Sequence, residues 1–577
     1  MPIELPYVQA GIAAVLLLSV VSGLLGSFIV LRGLAFFVHA VGTATFPGLV
    51  LAEGLGFAAA LGGFGAALAF VVASAAVGRS HRTGADSVTA LVLVGCLAAG
   101  VILASDIFAS GPNVETLLFG SLLLIDTGDL WLAGGAAGLA LATAAFAGPR
   151  WLARGFDPAT ATALGAGTAW LEGLLLAAVA LAATAALTTV GALLVTAILV
   201  VPAATVRLLT SSLPALQLGA TALAAVEGIL GIWLAIETDA PPGAAIAVLS
   251  GLVFAGVAVS RSLGARQAAL AAVVLGGLAL AGCGPVAVGR DRLGVVATTP
   301  EVADLVRNVA GPGVDVEQVV EPGTDPHEYE PRPSDVSATA EAEIIFRSGG
   351  DIDDWTGTLV DGSGSEAIVV SLDRNLRVPL DGHGHDQGET DPHWWHDPRN
   401  AAAAVAEIEG ALAAAEPRTG PELRRRAAAY LGRIRRVDRD VARCVARIPA
   451  ASRELVAQHG ALGYYANRYG LQVAGSLSPA LNEEAQPSAG ELADLADLIE
   501  RDGIEAVFPE SGVPHDLVDA VAADGGAEVG EELHTDTLAP EDDPAGTYLG
   551  MEAENTDAIV RGLTGGRLRC RLAEDAR

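Results

Sequence analysis

Apolar residues along this chain follow two rhythms. From Tyr7 to about Val259 they gather into stretches near the ~20 residues that a membrane-spanning helix needs. These predict spans near residues 7–30, 34–52, 55–77, 87–108, 129–148, 169–190, 191–211, 213–236 and 243–260. From Arg292 onward the runs shorten. LGVVATT (293–299), EIIFRSG (343–349), AIVVSL (367–372), RELVAQHG (453–460) and IEAVFPE (504–510) alternate with helical stretches. Strands alternating with helices predict parallel sheets. A long Arg-rich helix, roughly 420–447, separates two such sets. The predicted fold is a polytopic all-α membrane domain of about nine spans, then an α/β domain of two lobes joined by one long helix, with a cleft between the lobes.

Charge sharpens the division. Residues 1–283 carry 12 acidic residues and 8 Arg, whereas the remainder carries most of the chain's net charge of −32. With the N-terminus outside, all eight Arg fall at inner loops: Arg32, Arg79, Arg82, Arg150, Arg154, Arg207, Arg261 and Arg266. This fits the positive-inside rule. The acidic second half argues for a soluble surface and against nucleic acid as a partner. All 34 basic residues are Arg. A phosphate-binding P-loop needs its Lys, so the chain carries no such ATPase site.

Between the halves, residues 261–283 read RSLGARQAALAAVVLGGLALAGC. Two Arg, a short apolar run and a small-residue ending have the form of a secretory signal. The ending resembles a bacterial lipobox, which makes Cys283 a candidate for lipidation. The alternative is a short tether helix. Both place the second half of the chain outside, giving a membrane region at 1–260, a signal or tether at 261–283 and an extracytoplasmic domain at 284–577. Cys96 lies in an apolar run and reads as a packed core residue. Cys444 and Cys570 could pair if their domain is exported, but spacing leaves this open.

Five stretches of the first half carry a resemblance: FPGLVLAEGLG (46–56), VETLLFGSLL (114–123), GFDPATATALG (155–165), VGALLVTAILVVPAATVRLL (190–209) and GIWLAIETDAPPGAAIAVLSG (231–251). Together they resemble the metal-ion ABC permeases that import zinc, manganese or iron. The resemblance implies a separate ATPase subunit and a homodimeric permease. It also implies that 155–165, with Asp157, Pro158, Ala159, Leu164 and Gly165, is the helix that couples to the ATPase. One departure is visible. The family's Asp and His before its Pro-Gly pair are His39 and Thr43 here, ahead of Pro47 and Gly48. A His within a span is costly unless it faces a partner or water, so His39 either lines a path or packs. Glu172 and Glu227 also fall at membrane depth, as path residues or near an interface.

In the second half, DPHEYEPRPSD (325–335), DPHWWHDP (391–398), QHGALGYYANRYGL (458–471), LHTDTL (533–538) and GTYLGM (546–551) place polar side chains in turns or at element ends. They resemble the metal-binding lipoproteins that serve zinc and manganese ABC importers. The resemblance implies His327, His393, His459 and Asp536 as the metal ligands. Three imidazoles and one carboxylate suit Zn²⁺, whereas manganese sites favour more oxygen. Manganese-leaning members of the family often carry Glu where His459 stands. Zinc is therefore the expected cargo, with manganese or iron as alternatives. His383, His385 and Asp386 resemble an accessory metal loop or form a solvated one. His396, His515 and His534 read as structural or surface residues. His534, Glu328, Glu330 and Asp397 are candidates to orient the ligands, and Trp394 and Trp395 to pack the lobe interface.

These parts predict import of a divalent metal: capture by the outer domain, delivery to the permease, and power from the separate ATPase. Binding should weaken as imidazoles protonate below about pH 6. A tethered zinc hydrolase is disfavoured, because no H-E-x-x-H motif is present. A tethered adhesin or metal buffer would not need nine spans.

Overall fold

The computed structural model describes residues 6–80, 85–103, 125, 127–157, 161, 169–190, 192–262, 292–327, 329–380, 390–478, 489–511 and 515–572. Cys283, Pro158, Ala159, Leu164, Gly165, His383, His385, Asp386 and Glu328 lie outside these. The chain divides into two units, one carrying the helices up to Ser262 and the other most of the chain beyond Arg292.

The first unit is all helix in its described residues. Among the described residues, seven helices are long and apolar enough to cross a membrane: Val8–Arg32, Ala35–Ala52, Ala59–Val77, Thr127–Gly155, Trp170–Leu187, Leu213–Thr238 and Pro242–Arg261. Asp86–Gly100 and Val195–Leu209 are apolar but shorter. Each of the nine expected spans thus has a helix, two of them shorter than expected. Helix Phe46–Leu55 lies backbone to backbone on Ala59–Ser80. A Cβ on Gly48 would come within 2.1 Å of the Gly62 carbonyl oxygen, and one on Gly62 within 2.0 Å of that of Gly48. Small residues permit such approach where apolar solvent gives helices little reason to associate. Arg32 and Arg154 bracket Glu172 in the first turn of helix Ala169–Val190, so this carboxylate closes an ion network at helix ends. Glu227 is buried mid-helix and accepts the Ser250 hydroxyl at 2.9 Å. His39 is exposed rather than packed, and Cys96 is half-buried rather than core. Asp157 continues the turn after Phe156: its N–H donates to Ala153 O, and its carbonyl accepts from the Ala161 N–H.

The second unit holds two parallel four-stranded sheets. The first joins β1 (Leu293–Ala297), β2 (Val314–Gln318), β3 (Ile344–Arg347) and β4 (Ile368–Ser371) in the order β2-β1-β3-β4. The second joins β5 (Glu454–Ala457), β6 (Gln472–Ser476), β7 (Ala506–Phe508) and β8 (Glu528–Val529) in the order β6-β5-β7-β8. Parallel sheets are covered on both faces. Val295 and Ala297 of β1 accordingly face the main core, while Val296 between them faces a smaller cluster with Ile345. The same alternation sends Leu455 and Ala457 one way and Val456 the other.

Helix Gly420–Val445 joins the lobes. Its buried positions Leu423, Ala427, Tyr430, Ile434, Val437, Val441 and Val445 recur every three or four residues and form one face. That face shares a single core with strands of both sheets. Cys444 at its end is bonded to Cys570, with Cα atoms 5.7 Å apart.

Candidate metal centre

The two Asp-Pro-His sequences fold alike. The Asp325 carboxylate accepts the His327 N–H at 2.8 Å, and Asp391 accepts the His393 N–H at 2.9 Å. An Asp that bonds the backbone two residues on makes its own turn. Each turn therefore presents an imidazole from a loop without help from a helix or strand. His459 follows β5 by two residues, and Asp536 follows the bridge between Glu510 and Leu533. These placements lie beyond the carboxyl ends of parallel strands, where α/β folds bind ligands.

The four side chains are buried and converge. One candidate ligand atom from each of His327, His393, His459 and Asp536 lies within 4.8 Å of all the others. His393 Nε2 is 3.3 Å from His459 Nε2 and 3.2 Å from Asp536 Oδ1. Asp536 Oδ2 is 3.1 Å from His459 Nε2 and 3.9 Å from His327 Nε2. Bonds of ~2.0–2.1 Å in a tetrahedron set donor atoms about 3.3 Å apart, so the spacing fits one metal ion. His327 is buried with neither ring nitrogen hydrogen-bonded. Such an orphan is costly in a protein interior and is accounted for if the ring binds a cation.

Two carboxylates orient the rings. Asp391 Oδ1 lies 2.8 Å from His393 Nδ1, and Glu510 Oε2 lies 2.6 Å from His459 Nδ1. Both turn Nε2 toward the centre, the usual arrangement around a ligating His. Asp397 and His534, candidates for this role by sequence, do other work. Asp397 caps helix Pro398–Ala415 and pairs with Arg399, and the backbone of His534 is pinned by Asn555. The turn Asp391 makes is a signal that could have identified it. Glu510 carried none beyond its place at a strand end. His396 is fully buried, and Trp394 and Trp395 pack in the main core as expected.

Charge in the site is strongly coupled. Burial would depress His393, but Asp536 and the bond to Asp391 outweigh it and raise its pKa to about 9. Burial likewise opposes protonation of His459, and Glu510 and Asp536 overcome it, holding the ring well above the ordinary imidazole value. Burial pushes His327 down to about 4, against the pull of Asp536. Asp536 stays well below the carboxylate range because His459 and His393 outweigh the cost of its burial.

Residues 295–562 match the family model of the zinc-uptake complex component A periplasmic proteins (ZnuA), and residues 4–261 match the ABC 3 transport family (ABC-3). Manganese-binding lipoprotein MntA of Bacillus subtilis (strain 168) is 31% identical over 312 residues, 52% of this chain and 99% of the relative. Zinc-binding protein TroA of Treponema pallidum (strain Nichols) is 31% identical over 278 residues, 47% of this chain and 88% of TroA. Iron-binding protein YfeA of Yersinia pestis is 29% identical over 269 residues, 47% of this chain and 86% of YfeA. A solved structure of the periplasmic zinc binding protein TroA from Treponema pallidum superposes with a TM-score of 0.44 at 30% identity, covering 47% of this chain and 99% of that one.

Proposed function

From a chain that belongs to the ABC 3 transport family over residues 4–261 and to the zinc-uptake component A family over 295–562, we propose a zinc importer whose capture domain is fused to its permease. The two matches together support metal ABC import by a permease fused to a solute-binding domain, and the ABC 3 transport family implies partnership with an ATPase subunit. The finer reading assigns residues 1–260 to a multi-pass permease that dimerises. Residues 261–283 become the signal or tether, with Cys283 the lipidation site, and residues 284–577 the extracytoplasmic capture domain. His327, His393, His459 and Asp536 hold the ion, and the accessory loop residues His383, His385 and Asp386 lie ahead of His393 in sequence. Segment 155–165, including Asp157, Pro158, Ala159, Leu164 and Gly165, engages the ATPase.

One observation supports this reading above others: four buried donors from four separated loops meet at one point. Three imidazole nitrogens and a carboxylate favour Zn²⁺ over the oxygen-rich set Mn²⁺ prefers. The relatives named for manganese and iron keep those metals as the alternative cargo. Four protein donors also differ from a hydrolytic zinc site, which keeps a position open for water.

Competitive titration of the full-length chain in nanodiscs with Zn²⁺ and Mn²⁺ tests the proposal, alongside His459→Ala and Asp536→Ala. Tight Zn²⁺ binding that weakens in both variants is the expected result. A preference for Mn²⁺ changes the cargo, and no tight binding of either ion removes the capture function.

A further inference from the structure

Thr535 ties together the loops of three of the four candidate ligands. Its carbonyl accepts two hydrogen bonds, from Trp395 Nε1 at 2.9 Å and His396 Nε2 at 3.0 Å. Both donors sit in the turn Trp394–His396, directly after His393. Its hydroxyl donates to Glu510 Oε2 at 2.6 Å, the same oxygen that faces His459 Nδ1. The next residue along the chain is Asp536. One small side chain and its peptide group therefore join the His393 turn, the partner of His459 and the carboxylate ligand.

The carbonyl side of this clamp has its own support. A ring nitrogen that donates to a carbonyl must carry the proton, so His396 is protonated at Nε2. Its Nδ1 then faces Glu552 Oε1 at 3.5 Å. Glu552 is completely buried on the last helix, Tyr548–Gly562, and neither of its oxygens has a hydrogen bond. A buried carboxyl is costly without a partner, and the His396 ring is the one it faces. The imidazole thus lies with Nδ1 toward the Glu552 carboxyl and Nε2 on the Thr535 carbonyl.

We propose that Thr535 is the positioning residue of the metal site: held by His396 and Trp395 on one side and Glu510 on the other, it sets the reach of Asp536 toward the imidazoles, and the buried His396–Glu552 pair sets the clamp. The inference rests on the metal-binding reading above. It makes the spacing of the donors depend on a residue that touches no metal. Losing an outer partner of this kind costs roughly 10–100-fold in metal affinity.

The test uses the full-length chain in nanodiscs titrated with Co²⁺, whose visible absorption reports the geometry of its donors. Thr535→Val removes the hydroxyl at nearly constant volume, and Thr535→Ser restores it. The double variant His396→Leu, Glu552→Met removes the buried pair without leaving either group alone. Thr535→Val should lose roughly 10–100-fold in Co²⁺ affinity and change the absorption band, Thr535→Ser should recover both, and the double variant should shift the band. Wild-type affinity and band in Thr535→Val, or a serine variant no better than valine, overturns the proposal. If Thr535→Val does not fold, the double variant decides, and an unshifted band there overturns it. A wild-type chain with no Co²⁺ band sensitive to His393→Ala would instead sink the metal-binding reading, and this inference with it.

Discussion

At the scale of single residues, the site is a contest between burial and charge. His393 and His459 are buried, yet each is held protonated by carboxylates that outweigh the loss of water. A metal ion needs those rings neutral. Between the ordinary imidazole value of 6.5 and about 9, the ion must therefore displace protons that a solvent-exposed His would already have lost. Zinc binding at pH 7.5 should release about two protons, from His393 and His459, and none from His327, whose pKa is about 4. Affinity should climb with pH toward 9, well beyond the threshold near pH 6 that unperturbed imidazoles predict. Calorimetry in buffers of different ionisation enthalpy measures the released protons; a count of zero would contradict this account. The metal-free fold responds in the opposite sense. A raised His393 contributes stability that is complete below pH 6.5 and lost as the pH passes about 9. The four converging residues were legible in the sequence through their motifs. Glu510 and Thr535 were not, because their role is set by which loops the fold brings together, and that pairing leaves no local pattern.

At the scale of elements, periodicity did most of the predictive work. All five short apolar runs became strands. In β1, β3, β5 and β7 nearly every residue is buried, as a parallel sheet covered on both faces requires, whereas β4 lies at an edge with Ile368 and Val369 exposed. The strands the pattern missed are β2, β6 and β8. β2 reads VDVEQ and is half-buried throughout, and β8 is two exposed residues, so neither carries a strong apolar signal. All three missed strands lie at sheet edges, where one side needs no neighbour. The inter-lobe helix was found from its length and Arg content, but its importance lies in the opposite face. Ile434, 1% exposed, sits mid-helix in the core that both lobes share. Ile434→Ala should cost about 2–5 kcal/mol, and because the core is common, both lobes should lose stability in one transition. Differential scanning calorimetry would show it; two separated transitions for the α/β part would mean that the lobes are stabilised independently.

For the molecule as a whole, the sequence divided correctly into an apolar helical part and an α/β part, since composition and charge change together near residue 283. The segment between them decides whether the protein works as one chain or two. If Cys283 is a lipidation site, an immunoblot of native membranes with an antibody to the second half should show a band for residues 283–577. Full-length protein alone would establish the tether instead. The bond between Cys444 and Cys570 bears on the same question from another side. It closes a loop of 126 residues that contains every strand of the second sheet, together with His459 and Asp536. His327 and His393 stay outside that loop. The bound ion would thus be gripped half by a covalent ring and half by an open strand of chain. A protease that cuts once inside the ring severs the backbone yet frees no fragment of the ring, so such damage would go unseen on a gel until a reductant is added.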